Sequence, residues 1–341
     1  LEGVLLRAGV ALQLTGYNLE TGITVHVGAQ IQEAGSCVMP ARLFFDIVRK
    51  LPDEMVSITV DHKQQVSIRA GAAFFQITAM DSEDYPELPD VNGKSGVTMP
   101  QSALKAMISG TIFSVSENQA RPIQTGCLME VTEDSVTMVA VDSFRLARRT
   151  WHTENAANHT LKFVVPAAGL KEIERILEDS DEPVTFTLGD KHILFSIGDA
   201  LLVSRVLEGE FIDWRRVVPT NCGTVLTANV AELTSSIERV SLIISEKVKS
   251  PVRCVFGDNM ADFRTANTIG SAHDTCSIAG NGGELEIGFN SRYLLDALRV
   301  IPSEEVTLEL QNGLSPIVFT PCDKKYDFAY MVLPVRLRSN S

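Results

Sequence analysis

Apolar and polar positions along the chain form three local patterns that recur in the same order. The first is a strand that leads into a short polar turn, at residues 12–18, 136–142 and 261–267. The last is a strand in which apolar and polar residues alternate, at residues 56–60, 184–188 and 306–310. Such alternation predicts strands with one buried face and one wet face.

The pattern between these strands is a helix. In two copies a proline precedes the helix, where a missing N–H is tolerated, and in the third an asparagine supplies an N-cap. Apolar residues recur at helical spacing in the first and third copies. The predicted helices follow Pro40, Pro166 and Asn290, and span residues 41–51, 167–177 and 291–301.

The repeat spacing of roughly 125 residues is far above that of a solenoid unit, so we predict that each copy is a domain. The predicted domains are residues 1–93, 97–219 and 223–341. Short polar linkers at 90–96 and 219–224 join them.

The second and third copies begin with an additional helix, predicted near residues 101–116 and 229–246. Nothing equivalent precedes Leu1, so we expect an opening segment to be missing from the first domain. Many strands and few helices indicate an α+β fold, with helices on one face of antiparallel sheet. Asn281-Gly282 and Asn312-Gly313 predict tight hairpins.

Composition fits a globular chain without membrane spans. Hydrophobic residues make up 45% and charged residues 21%, and no uninterrupted apolar stretch is long enough to span a bilayer. No leader of the secretory type is present, so a cytoplasmic location is expected. The formal net charge of −13 argues against a surface coated for DNA, although one face can still be positive.

The cysteines predict neither disulfides nor zinc sites, because they are scattered without CxxC spacing. We expect reduced thiols in the core. The six are Cys37, Cys127, Cys222, Cys254, Cys276 and Cys322.

We find no catalytic constellation in the sequence. The six histidines show no HxxH or HExxH grouping, and no Walker loop or GxSxG elbow is present. The glycine-rich run 280–283 precedes a strand, which favours a hairpin turn over a dinucleotide site. The acidic cluster at 178–182 follows a predicted helix and is interpreted as a solvated turn. We therefore predict a binding protein with no enzymatic activity, cofactor or metal.

Six segments carry a resemblance to a known family. They are TGYNLE at 15–20, PARLFFD at 40–46, EDYP at 83–86, VDSFRLA at 141–147, IGFNSRYLLDAL at 287–298 and YMVLPVRL at 330–337. Together, and in order along the whole chain, they resemble the bacterial DNA polymerase III sliding clamp, its beta subunit. The resemblance implies the DNA-clamp fold, with three similar domains, antiparallel sheet outside and helices lining one face.

The resemblance implies a processivity factor. Two copies would form a head-to-tail homodimeric ring around double-stranded DNA, without sequence preference. It also implies binding to the DNA polymerase III catalytic subunit, the clamp loader, and other polymerases and repair proteins.

Inward-facing basic residues on the helices are the expected DNA contacts, since weak phosphate contacts permit sliding. In the loop that contains Arg121, Pro122 and Ile123 stand where some family members have aromatic residues. The candidates are Arg42, Arg49, Lys50, Lys105, Lys171, Arg292 and Arg299, together with Arg121.

The resemblance also implies one peptide-binding pocket between domains two and three. Phe144, Ile212 and Gln124 depart from many family members, which suggests an altered peptide preference. The implied walls are Gln124, Val141, Ser143, Phe144, Arg145, Leu146, Ile212, Arg216, Val217, Asn290, Tyr293, Leu314, Pro316, Met331, Leu333, Pro334, Val335 and Arg336.

The dimer seam implied by the resemblance joins Phe75 and Ile77, on an edge strand, to Leu242 and Ile243 at the end of a helix. One alternative stays open at this point: a three-domain peptide-binding scaffold that does not encircle DNA. Convergence of the basic residues on one inner face would discriminate between the two. A hydrolase ranks far below both, since no nucleophile–base pair can be named.

Overall fold

The computed structural model describes residues 2–93, 96–154, 160–245 and 250–337. Two residues of the predicted linker 90–96, Lys94 and Ser95, lie outside this range, as does Glu246 of the predicted helix 229–246.

Strands dominate the described chain. The strands are β1 Gly3–Ala8, β2 Leu12–Tyr17, β3 Thr21–Val27, β4 Gly35–Pro40, β5 Ser57–Val60, β6 Gln65–Ala70, β7 Ala73–Thr78, β8 Gly96–Pro100, β9 Gly126–Val131, β10 Ser135–Val141, β11 Arg145–His152, β12 Leu161–Pro166, β13 Pro183–Leu188, β14 His192–Ile197, β15 Ala200–Arg205, β16 Thr224–Asn229, β17 Val252–Ala266, β18 Ser271–Phe289, β19 Glu305–Leu310, β20 Ile317–Pro321 and β21 Phe328–Val332. The helices are α1 Ala41–Val48, α2 Gln101–Ser109, α3 Ala167–Ile176, α4 Trp214–Val217, α5 Val230–Ser241 and α6 Ser291–Leu298.

Two compact units divide the chain. Unit 1 comprises Leu1–Gln101 and Ser180–Val206, and unit 2 comprises Ser102–Asp179 and Leu207–Ser341. Each unit holds strands from two of the predicted domains, because sheet pairing crosses the predicted boundaries. In unit 1 β3 pairs with β15, and in unit 2 β11 pairs with β21. The three domain boundaries themselves stay predictions.

Unit 1 contains an eight-stranded sheet in the order β4-β1-β2-β3-β15-β14-β13-β8 and a three-stranded sheet, β5-β6-β7. The pairs are antiparallel. Alternate residues of β1 and β6 meet α1 in one core. That core contains Leu6, Cys37, Met39, Phe44, Ile47, Val66, Ile68 and Ala79.

Unit 2 contains a ten-stranded sheet in the order β12-β9-β10-β11-β21-β20-β19-β16-β18-β17. One face of its later strands packs against α5 and α6 in a large core that includes Leu233, Phe263 and Leu294. A smaller apolar cluster, which includes Val141, Leu146 and Met331, is formed by β9, β10, β11, β12, β20 and β21 and by residues 207–218.

The predicted helix starts are confirmed. Asn290 caps α6 by accepting a hydrogen bond from the Arg292 N–H, at 3.0 Å, and Asn229 caps α5 in the same way from the Glu232 N–H. The helices end earlier than expected, at Val48, Ile176 and Leu298. The additional helices also stop early, with α2 ending at Ser109 and α5 at Ser241.

The predicted hairpin turn at Asn281-Gly282 is wrong. Both residues lie inside β18, which runs from Ser271 to Phe289 beside β17 through register shifts. Positive φ at Gly280, Gly283 and Glu284 lets the strand pass this irregularity without reversing. Asn312-Gly313 does lie between the paired strands β19 and β20, in a connection that is longer than a tight two-residue turn.

The six cysteines are free thiols, as predicted, and four of them are buried. Burial raises the pKa of the Cys127 thiol to about 12. The expectation of core positions is wrong for Cys322, which is exposed, and Cys222 is only half-buried. Of the helices described, none is long and apolar enough to cross a membrane.

Candidate functional site

The turn between β10 and β11 organises the site in unit 2. Asp142 accepts hydrogen bonds through Oδ1 from the backbone N–H groups of Phe144, at 2.7 Å, and Arg145, at 2.9 Å. An Asp side chain that bonds backbone two residues ahead is an ordinary way to close such a turn. The turn therefore holds Phe144 outward and directs the Arg145 side chain back towards α6.

Arg145 ties this turn to helix α6. Its Nη1 donates to Asp296 Oδ2 at 2.6 Å, its Nε donates to Asp142 Oδ2 at 3.0 Å, and its guanidinium lies 4.6 Å from the centre of the Tyr293 ring. The side chain is only 9% exposed. Arg145 is predicted to be a pocket wall, and in the structure its charge is offset by the two carboxylates of Asp142 and Asp296.

An apolar floor lies beside this turn. Leu146 pairs with Val141 and with Met331 across the β10, β11 and β21 ladder, and all three are buried. Val217 and Leu333 are partly buried against the same cluster. Five of the predicted pocket residues thus belong to one apolar cluster.

Exposed apolar side chains lie on the segments that lead into or out of these strands and on residues 211–217. Phe144 is 54% exposed and stacks on Tyr293 with ring centres 5.6 Å apart, and Ile212, Leu314 and Val335 are also exposed. The chain's last described segment is fixed here, since the Leu333 N–H donates to the Phe144 carbonyl at 2.8 Å and the Val335 N–H to Gly288 at 2.7 Å. We call this surface, floor and rim together, the unit 2 groove.

The remaining predicted pocket residues differ in their exposure and in whether their side chains already bond to other groups of the chain. Asn290 uses its side chain as the cap of α6, and Arg216 is paired with Asp213 at 3.0 Å. Gln124 belongs to a short 3-10 turn, Pro122–Thr125, and its carbonyl accepts from the Ser116 N–H. Ser143 and Arg336 are exposed, whereas Pro316 and Pro334 are half-buried.

The resemblance names Ile212, Arg216 and Val217, but Phe211 and Trp214 of the same segment were missed. Phe211 is buried, Trp214 and Val217 pack against the same cluster, and the three recur at a spacing of three residues. We call residues 211–217 the second strap, because a segment earlier in the chain, described below, is the first. The Trp214 Nε1–H donates to Glu130 Oε2 at 3.3 Å, and Arg148 and Arg215 lie over its ring. The spacing of three apolar residues was the signal available in the sequence.

Glu130 is a charged residue of the sheet that contacts the second strap. Burial by itself would raise the pKa of Glu130, but the hydrogen bond and charge of Arg215, with Trp214 and Lys162, outweigh burial and leave the pKa below its ordinary value. Arg215 approaches Glu130 to 2.8 Å. The ionised carboxylate therefore helps to hold the strap against the sheet.

The predicted DNA contacts lie on helices or beside them. Arg42 on α1 and Arg49 and Lys50 directly after it are exposed, as are Lys171 on α3 and Arg121 before the Pro122–Thr125 turn. Lys105 on α2 is half-buried. In α6 the Arg292 side chain lies 4.0 Å from Asp296, and Arg299, just after the helix, bonds Glu238 at 2.9 Å. These last two charges are partly offset by neighbouring carboxylates.

The predicted seam residues fall into two groups. In unit 1, Phe75 and Ile77 lie on β7, the edge of the three-stranded sheet, and are partly buried against its core. In unit 2, Leu242 directly follows α5 and is 82% exposed, while the Ile243 carbonyl accepts from the Asn267 amide. Within the described ranges, no three His, Cys, Asp or Glu residues form a group that could hold a metal ion.

Three family descriptions match the chain in succession. Residues 1–89 match the N-terminal domain of the DNA polymerase III beta subunit, residues 98–213 its central domain and residues 215–336 its C-terminal domain. Beta sliding clamps of Staphylococcus epidermidis and Staphylococcus aureus are 30% identical over 333 residues, which is 95% of this chain and 88% of those proteins.

Solved structures of the same family also match this chain. A putative DNA polymerase III beta subunit from Eubacterium rectale matches with a TM-score of 0.93 and 32% identity, over 98% of this chain and 91% of that one. The DNA polymerase III beta subunit of Pseudomonas aeruginosa matches with a TM-score of 0.93 and 30% identity, over 99% and 92%. A sliding clamp from that organism bound to griselimycin aligns equally well, with a TM-score of 0.93 at 30% identity, over 99% and 92%.

Proposed function

Because the chain belongs to the DNA polymerase III beta subunit family, we propose that its unit 2 groove is the docking site through which partner proteins are tethered to DNA. The chain is a sliding clamp with the three-domain α+β clamp fold, and the family's role is that of a non-catalytic processivity factor on DNA. A clamp that encloses the duplex needs no tight contact to persist on it, which reconciles a net charge of −13 with DNA as a partner.

The observation that carries the groove proposal is its combination of a buried apolar floor and an exposed apolar rim. Leu314, at 75% exposure, and Phe144, at 54%, contribute exposed apolar area, which marks an interaction site where it is contiguous. Met331 in the floor is flexible and polarizable, which suits a surface that accepts several partner sequences. A partner peptide with leucine and aromatic anchors fits this chemistry.

We propose the polymerase catalytic subunit, the clamp loader, and other polymerases and repair proteins as users of this groove. Griselimycin is bound by a related clamp, and we propose that it binds this chain as well. We further propose a homodimer closed through β7 of one copy and the Leu242–Ile243 segment of the other, with the exposed basic residues of α1, α3 and α6 towards the duplex. The edge of β7 supports that seam, because an unpaired strand edge is stabilised by a partner.

The experiment uses two matched substitutions of exposed leucines. Leu314→Asp changes the groove rim and Leu242→Asp changes the seam, and neither side chain is part of a core. We expect Leu314→Asp to weaken binding of griselimycin, and of a hexapeptide anchored by Leu and Phe, by tenfold or more while leaving the dimer intact. Leu242→Asp should give the opposite result.

DNA retention tests the clamp mechanism directly. Loaded dimer should stay on closed circular DNA and run off linear DNA, and Leu242→Asp should shorten its residence on circles. Equal loss from circular and linear DNA would contradict encirclement. Unchanged peptide binding by Leu314→Asp would move the docking site elsewhere.

A further inference from the structure

Unit 1 repeats the construction of the unit 2 groove. Asn18 closes the β2–β3 turn by accepting hydrogen bonds from the Glu20 and Thr21 N–H groups, as Asp142 does from Phe144 and Arg145. The two turns therefore align position by position. This register makes Gly22 equivalent to Leu146, and Thr24 equivalent to Arg148.

The same register extends across the neighbouring strands. The pair Leu5 and Thr15 corresponds to the pair Leu128 and Val139 in unit 2. In the same way, the pair Arg7 and Gln13 corresponds to the pair Glu130 and Thr137. On the other side Val203 pairs with Gly22 as Met331 pairs with Leu146. The unit 1 sheet thus presents a counterpart of the apolar cluster that lies beneath the second strap.

A segment of unit 1 crosses this surface as the second strap does in unit 2. We call residues 85–91 the first strap. Its anchors Tyr85, Leu88 and Val91 have the same spacing as Phe211, Trp214 and Val217. The Tyr85 hydroxyl donates to the Thr15 carbonyl at 3.0 Å, and Leu88 lies so close to Gly22 that a Cβ there would overlap it.

The two straps differ in what their central anchor covers. Trp214 reaches Glu130 and Arg148, the counterparts of Arg7 and Thr24. Leu88 is smaller and lies instead over Gly22. The side chains of unit 1 consequently leave a cavity of about 500 Å³ in the region that the indole and guanidinium fill in unit 2.

The cavity has the chemistry of a ligand site. Its volume falls within the usual range for small-ligand pockets. Leu5 and Val203 are buried in its floor, and Leu194 and Leu201 are half-buried beside them. Thr15 and Thr24, which are also buried, bond to each other through their hydroxyls at 2.9 Å.

Polar groups stand at one end of the cavity. The Gln13 side-chain amide lies 2.9 Å from His26 Nε2. Both side chains therefore bring hydrogen-bonding atoms to the lining of the cavity. Arg7, Glu87 and Asp90 also line the cavity, and their formal charges sum to −1.

The first strap also has free backbone groups. In the described part of the chain, the backbone N–H groups of Glu87, Leu88 and Asp90 donate to no other backbone group. Pro86 and Pro89 keep this segment extended. An extended peptide can therefore pair with the strap while one of its side chains enters the cavity.

We propose that this cavity is a second peptide-docking site, which takes a single aromatic side chain, with indole as the best fit. An indole and a guanidinium occupy the equivalent space in unit 2, and Leu88 and Thr24, which take their positions in unit 1, are much smaller. The site is independent of the unit 2 groove and of DNA encirclement.

The test uses the intact protein and two blocked tripeptides, acetyl-Gly-Trp-Gly-amide and its alanine analogue acetyl-Gly-Ala-Gly-amide. Binding is followed by amide chemical shifts and by crystallography of the soaked protein. We expect the tryptophan peptide to shift resonances of Thr24, His26 and Leu88, and to bind at least tenfold more tightly than the alanine peptide. Failure of the tryptophan peptide to bind would overturn the proposal.

Two filling substitutions locate the binding. Leu88→Trp supplies the side chain found in the second strap, and Leu201→Phe narrows the cavity from the sheet. Each substitution should weaken binding of the tryptophan peptide at least tenfold. Leu314→Asp, in unit 2, should leave its affinity unchanged. Unchanged binding in both filling variants, or loss of binding in Leu314→Asp, would place the peptide elsewhere and refute the inference.

Discussion

The two straps show how one plan, repeated in one chain, yields two different surfaces. In the second strap, Phe211, Trp214 and Val217 pack against an apolar cluster built from β9, β10, β11, β12, β20 and β21. In the first strap, Tyr85, Leu88 and Val91 cross the corresponding strands, yet threonines and a glycine replace the large side chains beneath. The backbone plan is thus held by turns and pairing, while side-chain volume decides whether the space below a strap is filled.

The two straps also differ in the charge of the sheet residue beside them. Glu130 lies under the second strap with Arg215, Lys162 and the Trp214 indole around it. Its counterpart in unit 1 is Arg7, whose side chain is exposed. The second strap is therefore held by burial and by a carboxylate, whereas the first is held by burial and by the Tyr85 hydroxyl.

Removing the first anchor residue of each strap should give the largest difference in stability loss between the two units. Phe211 is buried, so Phe211→Ala is expected to lower the free energy of unfolding of unit 2 by about 3–5 kcal/mol. Tyr85 is half-buried, and Tyr85→Ala should affect unit 1 less. Urea denaturation, with hydrogen exchange to assign each effect to its unit, measures both. Equal losses would mean that the straps are equally anchored.

The turn residues provide the next comparison. Asp142→Ala removes two turn hydrogen bonds and one partner of the buried Arg145 guanidinium, and should destabilise unit 2 by about 2–3 kcal/mol. Asn18→Ala removes only the turn bonds of unit 1, and about 1 kcal/mol is expected. The same denaturation experiment applies. Asp142→Asn is the control, because it keeps the turn acceptor and removes the charge.

Acid should loosen the second strap and not the first. The folded pKa of Glu130 is lowered, so its stabilising effect is complete above the unfolded pKa of about 4.3 and is lost as the pH falls through the lower folded value. We expect a loss of no more than about 1.5 kcal/mol between pH 5 and pH 3. Glu130→Gln should flatten that part of the pH profile of hydrogen exchange in residues 211–217. A pH profile unchanged by the substitution would assign the effect to another carboxylate.

The smallest effect is expected at the exposed end of the second strap. Arg216 pairs with Asp213 at 3.0 Å, but its side chain is 87% exposed. Arg216→Ala should change the free energy of unfolding by less than about 0.5 kcal/mol, because solvent screens such pairs. A larger loss in urea denaturation would show that this rim residue has a structural role.

Local features of the site were predictable from the sequence. Asn290 and Asn229 were recognisable as caps, and Pro40 and Pro166 as helix starts, because these signals depend on a few neighbouring residues. The apolar character of Leu146, Met331 and Leu333 followed from strand patterns in the same way. Which charges pair with one another did not follow from the sequence. Arg145 is a pocket wall implied by the resemblance, and its ion-pair partner Asp296 lies 151 residues further along the chain.

The wrong prediction at Asn281-Gly282 has a related cause. The dipeptide is a strong turn signal when nothing else constrains it. In the protein, β17 supplies hydrogen-bond partners on either side of it, and Gly280 and Gly283 absorb the irregularity with positive φ. Pairing with a neighbouring strand therefore overrode the local preference.

The sequence by itself determined the repeated order of strands and helices, the helix starts and the apolar surfaces, because each depends on periodicity or on a few adjacent residues. Only the tertiary structure decided which strands of different repeats share a sheet, where the two straps lie, and which charges are neutralised internally. These outcomes depend on side-chain volumes and on partners far apart in the chain. The same spacing of three anchors therefore packs over a filled cluster in unit 2 and over a cavity in unit 1.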